Sequence, residues 1–473
     1  MPPAHPGLAS LLKYPLMQSL AERRTRRIAQ GVSLLAGSLS HTSTNKPKPL
    51  TPLEEAILIV STGLTGPVMH DGPLKKPDGR DELGSPFDHV IGKTASSPDN
   101  AHATSFFLIN DSGIFLIKTP KDQDALALLG SLPPTWDQWS EADWLRVAKA
   151  VTVQVSDSRL EFPREFPYYL GWNKQTSNVP GTTVLFPVVD CTRQYINGLL
   201  TVLSEPDGQR PVFIDDWQPF VPQDAVEAAV WVGAQFGFPK TIPYQPIGGI
   251  KWVQNGFCNQ NISAPLGMQR TLRTDYESFF LLQNLMLVAQ AMGLGGWIHS
   301  SVFAPWILKK DPSQNWNGLG FRFVDPTVDW GADLWPPLPA SQPNPVGIDG
   351  VLEGLCPPYC TTDQAVDTFI QEKYGPAGMY GDAATFAAPY SDPAFASQYL
   401  KMEVPFSPQA IEYCKEVCRY QYEKYGRFPA FVDAFYVPGI WLQVSHLEIE
   451  YYQKFFKPTQ FTNQAAHAAT WGE

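Results

Sequence analysis

At 473 residues, 44% of them apolar, the chain has ample material for a buried core in one large domain or two, and its net charge of −11 argues against a protein that coats nucleic acid. No internal repeat or low-complexity tract points to a solenoid or a disordered array. Leu and Met precede a run of arginines near the start, the reverse of a secretory signal, so a cytoplasmic protein is expected, with neither membrane nor nucleic acid as partner.

The first element is AERRTRRIAQG, residues 21–31, where Arg23, Arg24, Arg26 and Arg27 surround Thr25. Residues 1–50 hold seven Lys or Arg against one acid, Glu22, so this segment is +6 and the remainder −17. Guanidinium groups grip phosphate bidentately and a hydroxyl adds a neutral hydrogen bond, which suits a mononucleotide phosphate. A solvated face or an interaction patch is the ordinary reading of such a cluster. Next, LTPLEEAILIVSTGLTG (50–66) carries helix-start chemistry: Thr51 caps, Pro52 fits the first turn, Glu54 and Glu55 suit the positive end of the dipole, and Gly63 and Gly66 end the helix. The stretch Ser96-Ser97-Pro98-Asp99-Asn100 then precedes a hairpin, FFLI and IFLI about Asn110-Asp111-Ser112-Gly113.

From Pro133 to about Pro246 helices and strands alternate. Ser140 starts an amphipathic helix through Val151, TTVLFPVVD and INGLLTVLSEPDGQRPVFIDDW read as strands around a Pro206-Asp207-Gly208 turn, and DAVEAAVWVGAQFG reads as a helix. The segment DYESFFLLQNLMLVAQAMGLGGWIHS (275–300) is the strongest pattern in the chain. No Asp, Glu, Lys or Arg lies between Ser278 and Leu308, apolar residues cover almost every side of the wheel, and a central helix buried all round is expected, stopped by Gly293, Gly295 and Gly296. A membrane span is the lesser reading, since Gln283, Asn284 and Gln290 interrupt the stretch.

Prolines mark a loop-rich seam near residues 330–380. The six cysteines include two Cys-x-x-x-Cys pairs. Cys414 and Cys418 share one face of a predicted helix, Ser407 to Tyr425, with Ile411, Tyr422 and Tyr425, as small core residues do; Cys356 and Cys360 bracket Pro357 and Pro358. Neither a disulfide framework nor a metal site is expected. Near the C-terminus Tyr425, Arg427, Asp433, His446, Glu448 and Glu450 offer acid-base groups, and His446 with Glu450 has helical i, i+4 spacing, although an aromatic helix pair covering the core is the simpler reading.

QNLMLVAQAMGLGGW resembles the helix and glycine turn of the nitroreductase family of flavin enzymes, and Arg-Arg-Thr-x-Arg resembles the element with which that family holds FMN. The helix after the arginines and the Ser-Pro loop ahead of a strand follow in family order, although about 270 positions separate the arginines from the glycines. The resemblance implies an α+β fold of nitroreductase-like type: an antiparallel-rich central sheet flanked by helices, with a large insertion and a C-terminal helical extension. It divides the chain into a flavin-binding domain at 1–330, with an insertion at about 133–246, and a loop-rich, helical extension at 331–473. The resemblance also implies FMN as cofactor, with Arg23, Arg24, Thr25, Arg27, Ser97, Asn100, Gln283, Asn284, Gly295 and Gly296 as its contacts and Arg26 on a variable position. The function that follows is hydride transfer between a reduced nicotinamide, NAD(P)H, or an organic small-molecule substrate and an electron acceptor, in a homodimer; the alternative is a non-redox binding or scaffold protein that keeps the fold without flavin.

Overall fold

The computed structural model describes residues 5–70, 85–166, 168–171, 173–219, 222, 224–235, 244–269, 274–302, 304–309, 318–328, 343–433 and 439–472. The elements that build the site are α1 (Pro6–Lys13), α2 (Leu16–Glu22), α3 (Pro52–Ser61), β1 (Thr104–Asn110), β2 (Gly113–Ile117), α4 (Glu141–Val151), β3 (Thr152–Ser156), β4 (Thr183–Asp190), α5 (Thr192–Leu203), α6 (Asp275–Met292), β5 (Gly295–His299), α7 (Thr362–Tyr374), α8 (Pro408–Tyr425), β6 (Phe431–Asp433), β7 (Trp441–Ser445), α9 (Ile449–Phe455) and α10 (His467–Trp471).

The seven strands form one sheet in the order β5-β7-β4-β1-β2-β3, with β6 also paired to β4, and every pairing is antiparallel. The protein is therefore α+β with an antiparallel central sheet. The hairpin forms where its sequence predicts, with Asn110 opposite Gly113 and the Asn110 side chain accepting from Ser112 N at 2.8 Å. Gly113 is required there: its φ is +139°, and a Cβ would lie 2.2 Å from Ser156 O.

Side-chain alternation distributes β1 between two cores. Phe106 and Leu108 pack with Ile57 and Leu58 of α3 and Leu281, Leu282 and Leu285 of α6; Phe107 and Ile109 pack on the other face with Phe186, Trp441, Ile307 and Phe321. A third core gathers α5, α7 and α8 beside a small sheet of Pro211–Pro219, Tyr244–Pro246 and Asn259–Pro265. Cys414 and Cys418 lie buried in it, and all six cysteines are free thiols.

Several expectations meet a different arrangement. Residues 196–203, read as the start of a strand pair, lie in the helix α5, because Tyr195, Ile196, Leu199, Leu200 and Leu203 recur at helical spacing and all are buried. The segment 133–246 supplies β3 and β4 to the central sheet, and residues beyond 330 supply β6 and β7. The sheet thus crosses both expected boundaries. Nor is α6 buried all round: Tyr276, Phe279 and Phe280 are 59%, 38% and 51% exposed, which makes an apolar outer stripe. Among the described residues no helix is long and apolar enough to cross a membrane. The prolines from Pro336 to Pro339 and the side chain of Asp433 lie outside what is described.

The C-terminal segment caps α6. Gly293 takes φ 80°, and the carbonyls left without helical partners are met by side chains: Asn463 donates to Gln290 O at 2.6 Å, while His467 Nδ1 and Trp471 Nε1 meet Met292 O at 2.9 and 3.0 Å.

Candidate functional site

The sheet and α6 together bring the arginine segment onto the glycine turn. Arg26 N donates to Gly296 O at 3.2 Å, and the Arg27 guanidinium lies 5.8 Å from the Trp297 ring centroid. Along 23–28 only Arg26 and Ile28 are buried; Arg24, Thr25 and Arg27 are exposed and Arg23 is half-buried. Arg26, the residue expected at a variable position, is the anchor, donating to Gln290 Oε1 at 2.9 Å and through Nε to Gln460 O at 2.8 Å. Arg24 folds onto Ala21 O and Arg23 O, both at 2.8 Å. The outward row is Arg24, Thr25 and Arg27, with Arg23 half-buried at its start.

The glycines serve the packing of the protein itself. A Cβ on Gly295 would lie 2.1 Å from Leu447 Cδ2 and 3.0 Å from Arg26 O, and one on Gly296 would lie 3.1 Å from Met286 Sδ. The other expected contacts sit elsewhere. Asn284 donates to Thr94 O at 2.9 Å, Gln283 is exposed on the outer stripe of α6, Ser97 Oγ accepts from His102 N at 2.9 Å, and Asn100 donates to His89 O at 2.6 Å. These belong to the N-terminal half of α6, the arginines to its far end. Between Glu277 and Gly293 the helix advances about 24 Å at its usual 1.5 Å rise per residue.

The Ser97–Asn100 loop runs on into Ala101, His102 and Ala103, which with His89 line a cleft of about 580 Å³ between the sheet and α7, a volume in the range of small-molecule sites. Its backbone is strained: Asp99, Asn100 and His102 take φ of 54°, 52° and 47°, and non-glycine residues hold that region only where their surroundings enforce it. The loop turns two imidazoles toward one another, His89 and His102, stacked 5.9 Å apart at 28°. Each is oriented through Nδ1 by a carboxylate, His89 by Asp122 at 3.3 Å and His102 by Glu277 at 3.4 Å. Asp122 is fixed by Val90 N at 2.7 Å, and Glu277 by the amide and hydroxyl of Thr104, each at 3.2 Å.

The two rings differ in basicity. Burial pushes His102 down to about 4, more than Glu277 restores, so it is neutral, and its Nε2 has no partner among the described residues. For His89 burial acts in the same direction, but the bond and charge of Asp122 outweigh it and raise the ring above its ordinary value. At the cleft wall burial raises Asp88 to about 6 against the pull of Lys373, whose Nζ is 3.8 Å away. A neutral and a more basic imidazole side by side make an acid-base pair able to give and take a proton from a molecule in the cleft.

Sequence reading missed His89 and His102, though each stands within a few residues of the Ser-Pro loop. Of the C-terminal candidates, His446 meets Glu54 at 3.2 Å, Glu448 is buried and accepts from Gly31 N at 2.8 Å, and Tyr425 donates to Asp215 at 2.6 Å. No family model matches the chain, and no curated protein matches it.

Proposed function

We propose that the chain is an FMN-dependent oxidoreductase of nitroreductase-like type, acting as a homodimer on a small-molecule substrate with NAD(P)H or an organic donor. The observation that carries this reading is the exposed cluster of Arg24, Thr25 and Arg27, with Arg23 half-buried beside them and Arg27 over the buried Trp297 ring: guanidiniums about a hydroxyl suit a phosphate monoester. FMN, when bound, supplies the hydride chemistry. The chain's own residues hold the phosphate at the row. The fit is incomplete within one copy, because the sides of Gly295 and Gly296 are filled by Leu447 and Met286 and the Ser97–Asn100 loop lies at the other end of α6.

A second copy resolves that distance. The outer stripe of α6, extended by Leu16, Met17 and Leu20 of α2 at 64%, 73% and 46% exposure, is an apolar face of the kind a subunit covers. A two-fold axis crossing α6 near its middle sets the helices antiparallel and brings the row of one copy beside the loop of its partner.

Purified protein titrated with FMN tests this. Arg23→Ala and Arg27→Ala are each expected to weaken binding by about 10- to 150-fold, as for lost charged hydrogen bonds of about 1.5–3 kcal/mol, and Phe280→Arg to give monomers that no longer retain flavin. Folded protein that takes up no FMN supports the second reading, a non-redox binding protein, which the filled glycines and the committed Asn100 and Asn284 side chains favour.

A further inference from the structure

Three elements far apart in sequence converge on one carboxylate at the sealed end of α6. Glu54, in the first turn of α3, is fully buried; its Oε1 lies 3.2 Å from His446 Nε2, just past β7, and 2.8 Å from His467 Nε2 at the start of α10. Both histidines are buried, at 5% and 7% exposure, and their rings lie 5.0 Å apart. All three ligand atoms fall within 4.8 Å of one another.

The orientations are fixed from outside the triad. Met292 O is an acceptor only, so His467 Nδ1, 2.9 Å from it, carries the ring hydrogen, and a neutral His467 then turns the lone pair of Nε2 toward the carboxylate. Two electron-rich atoms at 2.8 Å require a positive charge between them, either a second ring proton or a metal ion. Glu54 Oε2 is occupied by Thr51 N at 2.7 Å, which aims Oε1 at the imidazoles. A backbone carbonyl behind a histidine and an amide behind a carboxylate are the usual outer supports of metal ligands. The ligand-to-ligand separations of 2.8 and 3.2 Å are near the edge, roughly 3.3 Å, of a tetrahedron with bonds of about 2.0–2.1 Å.

We propose that Glu54, His446 and His467 bind one divalent transition-metal ion of the zinc class, which clips the C-terminal segment to α3 and the sheet. Two imidazoles and one carboxylate suit zinc rather than magnesium or calcium, which take oxygen ligands. Burial on all sides makes the role structural and has the ion enter as the segment from Pro458 closes over α6. The site is independent of flavin: it lies on the inner side of α3, and none of its ligands belongs to the arginine row.

The test uses the full chain without a histidine tag, expressed with added zinc and dialysed against a weak chelator. Expected are about one zinc per chain by elemental analysis, a lowered melting temperature after strong chelation that zinc restores, and a cobalt(II) form with the intense visible bands of a low-coordinate site. X-ray absorption then finds a first shell of nitrogen and oxygen with imidazole scattering, which separates this site from metal on the free cysteines. Glu54→Gln keeps the amide contact to Thr51 and is expected to lower zinc content at least tenfold in folded protein, as is His467→Ala. Wild-type protein that holds no zinc and gives no cobalt spectrum overturns the proposal, as does a sulfur shell, or full zinc content in a folded Glu54→Gln, His467→Ala double variant. The wild-type measurements decide the matter even where a variant fails to fold.

Discussion

The two ends of α6 each set a fully buried carboxylate against imidazole, and they part in what lies beyond it. At the N-terminal end Glu277 meets one ring, His102, and the next space is a cavity of about 580 Å³ walled by strained backbone. At the C-terminal end Glu54 meets two rings, and Trp471 stacks on the second of them, His467. One end keeps a neutral imidazole next to room for a ligand; the other sets two buried imidazoles on one buried carboxylate. Burial alone does not mark a functional group: the same pair of residue types is reactive or structural according to the volume beside it.

Removing the carboxylates separates the two ends most strongly. Glu54→Ala removes the carboxylate shared by the buried His446 and His467, and with it a ligand of the proposed ion, and is expected to cost about 3–5 kcal/mol. Glu277→Ala leaves His102 neutral, and water from the cavity can satisfy Thr104, so the expected loss is about 1–3 kcal/mol. Urea unfolding of both variants checks the order; equal losses would show that the ends do not differ in this way.

A pH series probes the open end, with an effect on the order of 2–3 kcal/mol. His102 falls from 6.5 unfolded to about 4 folded, so its share of stability is present above pH 6.5 and is lost as pH falls toward 4. Asp88 rises from 3.8 to about 6, so its share is present below pH 3.8 and is lost as pH rises through 6. Compared with wild type, His102→Asn should therefore gain stability progressively between pH 6.5 and 4, and Asp88→Asn should gain it between pH 4 and 6. Unfolding midpoints at pH 4, 5, 6 and 7 read both slopes, and parallel curves for His102→Asn and wild type would mean that the fold does not shift the ring's titration.

What could be read from sequence follows from range. The hairpin, the capped helices α3 and α8 and the glycine stop of α6 rest on residues within a turn or two of each other: Thr51 with Glu54, Ser407 with Ala410, Asn110 with Ser112. The arginine segment and glycine turn are adjacent in space through the contact of Arg26 with Gly296. Which arginine faces inward depended on the position of Gln290 on α6: Arg26, expected at a variable position, turns in to meet it, while Arg24 stays on the surface. Strand β7, pairing between β5 and β4, was hidden because its partners stand more than a hundred positions away. The triad joins Glu54 to histidines 392 or more positions away and leaves no local pattern, and His89 and His102 are told from ordinary core histidines only by the cavity they border.

The smallest expected effect concerns room for one methyl group at each end. Gly295→Ala would set Cβ 2.1 Å from Leu447 Cδ2 and is expected to cost about 1–3 kcal/mol as overpacking. Gly296→Ala meets only Met286 Sδ at 3.1 Å, the middle of a flexible side chain, so it should cost under about 1 kcal/mol. At the open end Ala103→Val faces the cleft and should stay within about 0.5 kcal/mol. The discriminating measurement is the double variant Gly295→Ala, Leu447→Ala. If the glycine exists to admit Leu447, the second change relieves the first and the two costs combine to less than their sum. Additive losses would instead mean that Gly295 is required for its closeness to Arg26 O, the backbone contact that holds the arginine row against the sheet.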